Sequence, residues 1–305
     1  MTGDGATDQT SNNQVGADQH GGPVQEVGEI FDVQRMGVYT QFTVVAPGIA
    51  HGFRPGQFVA VAVGGENTAM VLRRAFALSG ATRGGAFAGT VQFVVAAHGP
   101  GTRWLAGRTA GETLDVVGPL GNPFPLPSAP TRAVLVGGGY GAAPLLPLAS
   151  ALLAGNSSVE MVLGASSADR LFGELAARRA IGSVAVLTED GSAGEKGLVT
   201  DEVPAAIERV RAEVVYACGP MGMLRAVGEM ARASAIPAQV AVEESMACGI
   251  GVCMTCVLPV RGDDGHSRFV RSCVDGPVFD AARVRWDDVG TLPADVLGAD
   301  VMSGA

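Results

Sequence analysis

Four of the five cysteines, Cys248, Cys253, Cys256 and Cys273, fall in the pattern C-x4-C-x2-C-x16-C, and three of them crowd into MACGIGVCMTC (246–256). Thiols at such spacing bind metal more readily than they form a disulfide framework. A secreted, oxidised chain would need a leader, and residues 1–22 have neither a basic start nor an apolar stretch. Structural zinc sites usually present two close cysteine pairs. Three bunched cysteines with a distant fourth is the plant-type [2Fe–2S] arrangement. Gly249 and Gly251 let the loop approach an inorganic core closely, with backbone N–H groups turned to sulfur. The expectation is a [2Fe–2S] cluster on these four residues, with zinc as the alternative. Cys218, in YACGPMGML, ends an expected parallel strand. Ligands of open α/β sheets bind there, but a free cysteine is also a small buried hydrophobe. Both readings stay open.

A second chemistry lies in VGGGYGAAP (136–144), which follows an expected strand and opens a helix. Gly137, Gly139 and Ala142 match G-x-G-x-x-A, with Gly138 and Gly141 in the same turn. Backbone N–H groups and the helix terminus there suit a pyrophosphate. The alternative is a tight turn with close helix–sheet packing. The next strand ends without an acid, in LGASSADRL, where Ser166, Ser167 and Arg170 stand instead. The usual acidic grip on a ribose is missing, so NADH and NADPH are not separated. In LRRAFALSG (72–80) an arginine among apolar residues could hold a phosphate or a flavin edge. In AHGPGTRWL (97–105) the glycine turn before Thr102 suits backbone contact with a diphosphate. Each is equally consistent with an ordinary hairpin.

These groups need elements to hold them. Residues 23–129 carry short apolar segments, QFTVVAP, GQFVAVAV and GTVQFVVAA, separated by Gly and Pro, and read as a β barrel. Residues 130–240 alternate strands and helices, which implies a parallel sheet covered on both faces. The helices expected are APLLPLASALLAG, ADRLFGELAARRA and MGMLRAVGEMARAS. Residues 241–285 hold the cysteine cluster in a piece too small for a large core of its own. Residues 1–22 read as a disordered tail and 286–305 as a C-terminal extension without a clear pattern. The uncharged run 133–159 is long enough for a membrane helix, but its glycines and prolines favour strand, turn and helix. With 47% hydrophobic residues in 305 the chain can bury a sizeable core, and a net charge of -9 argues against a nucleic-acid partner. No membrane insertion is expected, and the expected location is cytoplasmic.

The order of barrel, nucleotide-binding domain and cysteine loop resembles the ferredoxin reductase superfamily, and within it the electron-transfer subunits of class 1B dihydroorotate dehydrogenase. The resemblance rests on LRRAFAL, HGPGT, GPLGNPF, LVGGGYGAAPL, YACGPMGML, EESMACGIGVCMTCVLP and SCVDGPVF and covers about residues 24–280. It implies an oxidoreductase with three domains: a Greek-key-type barrel binding FAD, an α/β domain binding NAD(H), and a small [2Fe–2S] domain near the surface. By the resemblance, Arg74, Ala75, Phe76 and Ala77 stand where the flavin-facing Arg-Pro-x-Ser motif is found. Gly99, Gly101 and Thr102 match the turn over the FAD diphosphate. Gly137, Gly138, Gly139 and Gly141 match the nicotinamide-nucleotide turn, and Cys218, Gly219 and Pro220 the motif near the nicotinamide. Ala77 departs from the motif by lacking its hydroxyl. The implied function, part of pyrimidine biosynthesis, takes electrons from an FMN-containing catalytic subunit through [2Fe–2S] and FAD to NAD, in a heterotetramer of two plus two subunits. On this view the protein places and tunes cofactors, and no side-chain acid–base pair is required. Two alternatives stand beside it: a ferredoxin:NAD(P) reductase-type subunit of another complex, and a non-enzymatic zinc- or cluster-bearing binding module.

Overall fold

The computed structural model describes residues 22–65, 68–293, 295 and 296. The expected N-terminal tail lies outside the described residues except for Gly22, and so do 297–305 of the C-terminal extension.

Six antiparallel strands close a barrel in the order β1-β2-β5-β4-β3-β6. They are β1 (Val24–Met36), β2 (Tyr39–Val45), β3 (Phe58–Val61), β4 (Arg74–Arg83), β5 (Gly89–Ala96) and β6 (Thr113–Leu120). Two short helices, α1 (Pro47–Gly52) and α2 (Pro100–Ala106), plug its ends. Side chains alternate across each strand, so Ile30, Phe42, Val59, Val61, Leu78 and Phe93 all turn inward and are buried. Phe42, Phe93 and Phe76 stack in a column, with centroids 5.7 and 5.3 Å apart.

The second domain has a seven-stranded sheet in the order β10-β9-β8-β7-β11-β12-β15. Its strands are β7 (Arg132–Gly138), β8 (Ser158–Ala165), β9 (Ser183–Thr188), β10 (Glu195–Lys196), β11 (Val214–Cys218), β12 (Ala238–Ala241) and β15 (Val278–Asp280). Ala133 and Leu135 face α3 (Leu145–Ala154) and α4 (Glu174–Ala180), while Val134 and Val136 face α5 (Val199–Val210) and α6 (Met221–Ala233). Both faces of β7 are therefore apolar, as a covered parallel sheet requires. The uncharged run 133–159 resolves into β7, a 3-10 turn, α3 and the start of β8. Among the described residues no helix is long and apolar enough to cross a membrane.

Four features differ from the sequence reading. The helix expected over 168–180 breaks into a 3-10 turn (Ala168–Arg170) and α4, because Gly173 takes a left-handed φ of 78°. Helix α5 was not expected, since Pro204 sits inside it; burial of Val203, Ala206 and Ile207 carries it, and Asp201 accepts the Leu198 N–H at 2.8 Å at its start. The sheet is not wholly parallel: β15 comes from the cysteine-bearing segment and pairs antiparallel with β12. The stretch after Trp286 is tied down as far as Val296, where Arg285 bonds Asp288 and Asp295 and Val296 is buried. The hairpin of β13 (Val257–Arg261) and β14 (Ser267–Arg271) completes the fold.

Candidate functional site

The strand order of the sheet turns at β7, with β8 on one side and β11 on the other, so a crevice opens at their carboxyl ends. The two glycine motifs meet there. A Cβ on Gly141 would stand 2.5 Å from the Cys218 carbonyl oxygen, and one on Gly138 would stand 2.7 Å from Met223 Sδ. The turn after β7 thus fits only as glycine against the turn after β11. Gly137 packs on Ala142 in the same way that close helix–strand packing was expected to use it.

Two cavities flank this crevice. The first, about 390 Å³, lies between barrel and sheet, lined by Arg74, Ala75, Phe76, Ala77, Thr102, Gly141 and Cys218 among others. The second, about 550 Å³, is lined by Gly138, Gly139, Pro220, Met223, Ser166 and Arg170, with Glu189 opposite in charge to Arg170. Gly99, Gly101, Gly137 and Gly219 line neither cavity; the last three pack closely on their neighbours, whereas a Cβ on Gly99 would meet open space. Of the two adjacent arginines, Arg73 pairs with Asp115 on β6 at 2.6 Å, whereas Arg74, among the described residues, bonds only the carbonyls of Leu72 and Arg73. A Cβ on Gly101 would sit 3.0 Å from the Arg74 guanidinium, so that glycine lets the side chain lie along the start of α2. Thr102 closes the turn, its hydroxyl accepting the N–H groups of His98 and Gly99 at 3.0 Å. The donors left at this helix start are backbone N–H groups.

Cys218, left open between a ligand position and a buried hydrophobe, sits at the cavity edge of the core. It is buried in the core and also forms part of the first cavity's wall, and burial pushes its thiol well up.

The four other cysteines form two pairs. Cys248 acts on the Cys253 thiol, and Cys256 acts on that of Cys273 and accepts its backbone N–H at 3.4 Å. Thr255, whose hydroxyl lies 3.2 Å from Cys253 Sγ, and then Cys248 hold the Cys253 thiol down at about 6. Burial foremost raises Cys273 to about 12. Two pairs of thiols suit a two-iron core, in which each iron takes two thiolates, better than one tetrahedral zinc. Backbone N–H groups of Ile250 and Val252 point at Cys248 Sγ and that of Cys273 at Cys256 Sγ, each at 3.4 Å. Arg271 braces the loop through the Gly251 carbonyl at 2.9 Å.

The loop is joined to the first cavity by a wall one side chain thick. Phe58, Ala75 and Met246 line the cavity and pack in the same apolar cluster as Cys256 and Cys273. Asn122, from the GPLGNPF stretch, holds the carbonyls of Val274 and Asp275 at 3.1 and 3.0 Å and so fastens the barrel to the cysteine segment.

Three residues that sequence reasoning assigned no role line both cavities: His98, Tyr140 and Glu243. The Glu243 side chain is accessible to the cleft, yet the protein packed around it raises its carboxyl, with Tyr140 opposing through a hydrogen bond. The signal that could have found it is a pair of carboxylates, Glu243 and Glu244, directly beyond the apolar strand β12.

Residues 243–285 match the iron–sulfur cluster binding domain of dihydroorotate dehydrogenase B, and residues 135–229 match an oxidoreductase NAD-binding domain. The chain is 41% identical over 233 residues to the electron transfer subunit of dihydroorotate dehydrogenase B (NAD(+)) of Bacillus caldolyticus, covering 76% of this chain and 86% of that one. It is 30% identical over 265 residues to the subunit of the same name from Desulforamulus reducens, covering 85% and 99%. Among solved structures, the NADH-dependent reduced ferredoxin-NADP oxidoreductase superposes with a TM-score of 0.76 at 29% identity, over 91% of this chain and 96% of that one. A ferredoxin NADP+ reductase from Neisseria gonorrhoeae with bound FAD and NADP shares the fold, at a TM-score of 0.55 and 16% identity over 68% and 91%.

Proposed function

The chain belongs to the electron-transfer subunits of dihydroorotate dehydrogenase B, and from that premise we propose that it carries electrons from a catalytic partner, by way of a [2Fe–2S] cluster and FAD, to NAD. The observation that carries the reading is the shared wall of Phe58, Ala75 and Met246, which sets the paired cysteines directly against the first cavity. FAD exchanges single electrons with a cluster and a hydride with nicotinamide. Cys248, Cys253, Cys256 and Cys273 hold the cluster in two pairs. Arg74, Thr102 and the start of α2 hold the FAD diphosphate, and Ala75, Phe76 and Ala77 form the floor of its cavity. Gly138, Gly139 and Pro220 receive the nicotinamide nucleotide, and Cys218, kept as a thiol, packs where the two cavities meet.

The partner is an FMN-containing subunit that oxidises dihydroorotate, two copies assembling with two of this chain in the cytoplasm. Its docking surface is the cysteine loop. Ile250, Val252, Met254 and Val274 surround the thiols and are 55%, 76%, 54% and 40% exposed. Apolar side chains so exposed and contiguous mark an interface. A second reading has one observation in its favour, the 29% identity over 91% of the chain to a ferredoxin-NADP oxidoreductase. On that reading the same cofactors serve a different complex.

The test is an anaerobic visible spectrum of the purified chain before and after NADH, followed by addition of the candidate partner. Flavin and cluster bands that NADH bleaches, with dihydroorotate-dependent NADH formation once the partner is added, support the first reading. Bleaching without a dihydroorotate-oxidising partner supports the second. Protein without flavin that holds zinc overturns both.

A further inference from the structure

The turn after β8 has little to hold it in place. In a sheet of this kind the adenosine ribose of a dinucleotide meets the residues at the end of the second strand. Here these are Ser166, Ser167 and Arg170, beyond β8, and Ser166 and Arg170 line the second cavity. Arg170 belongs to a single 3-10 turn (Ala168–Arg170) in which no residue is buried. One such turn has poor hydrogen-bond geometry and little stability of its own. Its position is therefore set by what it is tied to.

Two of the ties come from the barrel. In the hairpin between β1 and β2, the Val38 N–H donates to the Asp169 carbonyl at 3.0 Å, and the Tyr39 hydroxyl donates to the Arg170 carbonyl at 3.0 Å. Gly37, at a φ of 58°, makes room for this approach, since a Cβ there would stand 1.9 Å from the Asp169 carbonyl oxygen. The Tyr39 ring is buried and lies edge-on to Tyr140 in the glycine turn, 5.7 Å away, and to Phe172, 6.3 Å away. Gly139 leaves the hydroxyl its place, because a Cβ there would stand 3.2 Å from Tyr39 Oη. Burial foremost raises the ionisation of Tyr39, so the hydroxyl stays a donor. From the nucleotide domain itself, Ser192 Oγ accepts the Ala168 N–H at 2.7 Å.

We propose that Tyr39, a barrel residue, is a positioning residue for the coenzyme: its hydroxyl fixes the Arg170 turn where the adenosine ribose is received. The inference rests on the proposed function for the seat of the coenzyme in the second cavity. Tyr39 lines that cavity and not the first. It acts through the backbone of Arg170, so it governs affinity for the adenosine end and leaves hydride transfer at the flavin alone. The barrel thereby takes part in coenzyme binding, although the glycine motif that announces this binding lies wholly in the α/β domain. A purely structural role would rest on the ring, which packs between Tyr140 and Phe172. Tyr39→Phe keeps that ring and removes only the donor.

The experiment uses the full chain carrying flavin and cluster, with two readouts. Calorimetry measures binding of ADP-ribose, which has the adenosine ribose and no nicotinamide. Rapid mixing measures flavin bleaching by NADH and by reduced nicotinamide mononucleotide, which has no adenosine. In Tyr39→Phe one hydrogen bond is lost, and the Kd for ADP-ribose should rise about fivefold. Half-maximal bleaching should need correspondingly more NADH, while the limiting rate and the bleaching by reduced nicotinamide mononucleotide stay as in the wild type. Gly37→Ala, which drives the hairpin off Asp169, should give the same pattern with a larger loss. ADP-ribose bound by Tyr39→Phe as tightly as by the wild type overturns the proposal. So does bleaching by reduced nicotinamide mononucleotide that slows as much as bleaching by NADH, because Tyr39 would then act on the barrel or its flavin. Should Tyr39→Phe fail to fold, Gly37→Ala decides by the same two readouts. Wild-type protein that binds ADP-ribose but is not bleached by NADH overturns the proposed function, and the calorimetry still decides the role of Tyr39.

Discussion

The Tyr140 hydroxyl donates to Glu243 Oε2 across 3.3 Å and thereby links the glycine turn after β7 to the segment that leaves β12 for the cysteine loop. The two residues come from elements a hundred positions apart, and both reach the cavities on either side. Nucleotide turn and cluster segment thus share a polar contact that is open to the cleft.

That contact has a consequence for stability. Folding raises the Glu243 carboxyl, with burial the largest cause. The folded state then binds its proton more tightly than the unfolded chain, so stability falls as pH rises from the ordinary carboxylate range through the raised folded value. At neutral pH the ionised carboxylate costs stability. Glu243→Gln keeps an acceptor for Tyr140 and removes the charge. We expect its Tm at neutral pH to rise by about 1–2 °C, a modest figure because the side chain is open to the cleft. The gain should vanish at a pH below the ordinary carboxylate range, where both side chains are neutral. Thermal unfolding of the two proteins across pH checks it, and a gain of equal size at every pH refutes it.

Gly141→Ala tests the meeting of the two glycine turns. The new Cβ would stand 2.5 Å from the Cys218 carbonyl, which belongs to backbone and cannot swing away. Turn and strand must separate, at a cost of about 1–3 kcal/mol. The expected result is a KM for NADH raised by about tenfold or more, with flavin and cluster spectra unchanged. Loss of flavin at unchanged NADH affinity would mean that this turn serves the first cavity instead.

Much of this site was legible in the chain. The cysteine spacing and the glycine turn each announce themselves by residue type within a few positions, whereas Arg74 was singled out only by the family resemblance. What stayed hidden depends on distant elements. Glu243 looks like a solvated charge until β12 sets it beside Tyr140. Arg73 and Arg74 are neighbours in sequence, and only the pairing of Arg73 with Asp115 leaves Arg74 to the cavity. Helix α5 was concealed by Pro204, whose local preference is outweighed by burial of Val203, Ala206 and Ile207 against β7 and β8. Strand β15 is three residues long, and its place is decided by pairing with β12.

Glu189 and Arg170 line the second cavity together with Ser166. A 2′-phosphate entering there meets a carboxylate as well as a guanidinium. We expect NADH to be preferred. Glu189→Gln removes a like charge worth about 1 kcal/mol near solvent, so kcat/KM for NADPH should rise about fivefold with little change for NADH. Steady-state kinetics with both coenzymes at low salt check this. An equal change for both would remove Glu189 from the selection.

The pairing of the thiols makes the sharpest demand on the cluster. On the proposed function Cys248, Cys253, Cys256 and Cys273 would hold the two-iron core, whereas Cys218 lies apart in the nucleotide domain. Cys253→Ser replaces the exposed thiol that Thr255 and Cys248 hold at about 6, and so removes the sulfur most ready to bind as thiolate. Its cluster absorbance should fall to background or shift to a labile form, with flavin still bound and still bleached by NADH. Electron transfer beyond the flavin should stop. Cys218→Ser should keep full iron and sulfide content. Iron and inorganic sulfide assays on both variants, beside their visible spectra, decide the matter. Two irons per chain lost together in Cys253→Ser fit a shared two-iron core, while one zinc per chain in the wild type, without sulfide, would exclude it.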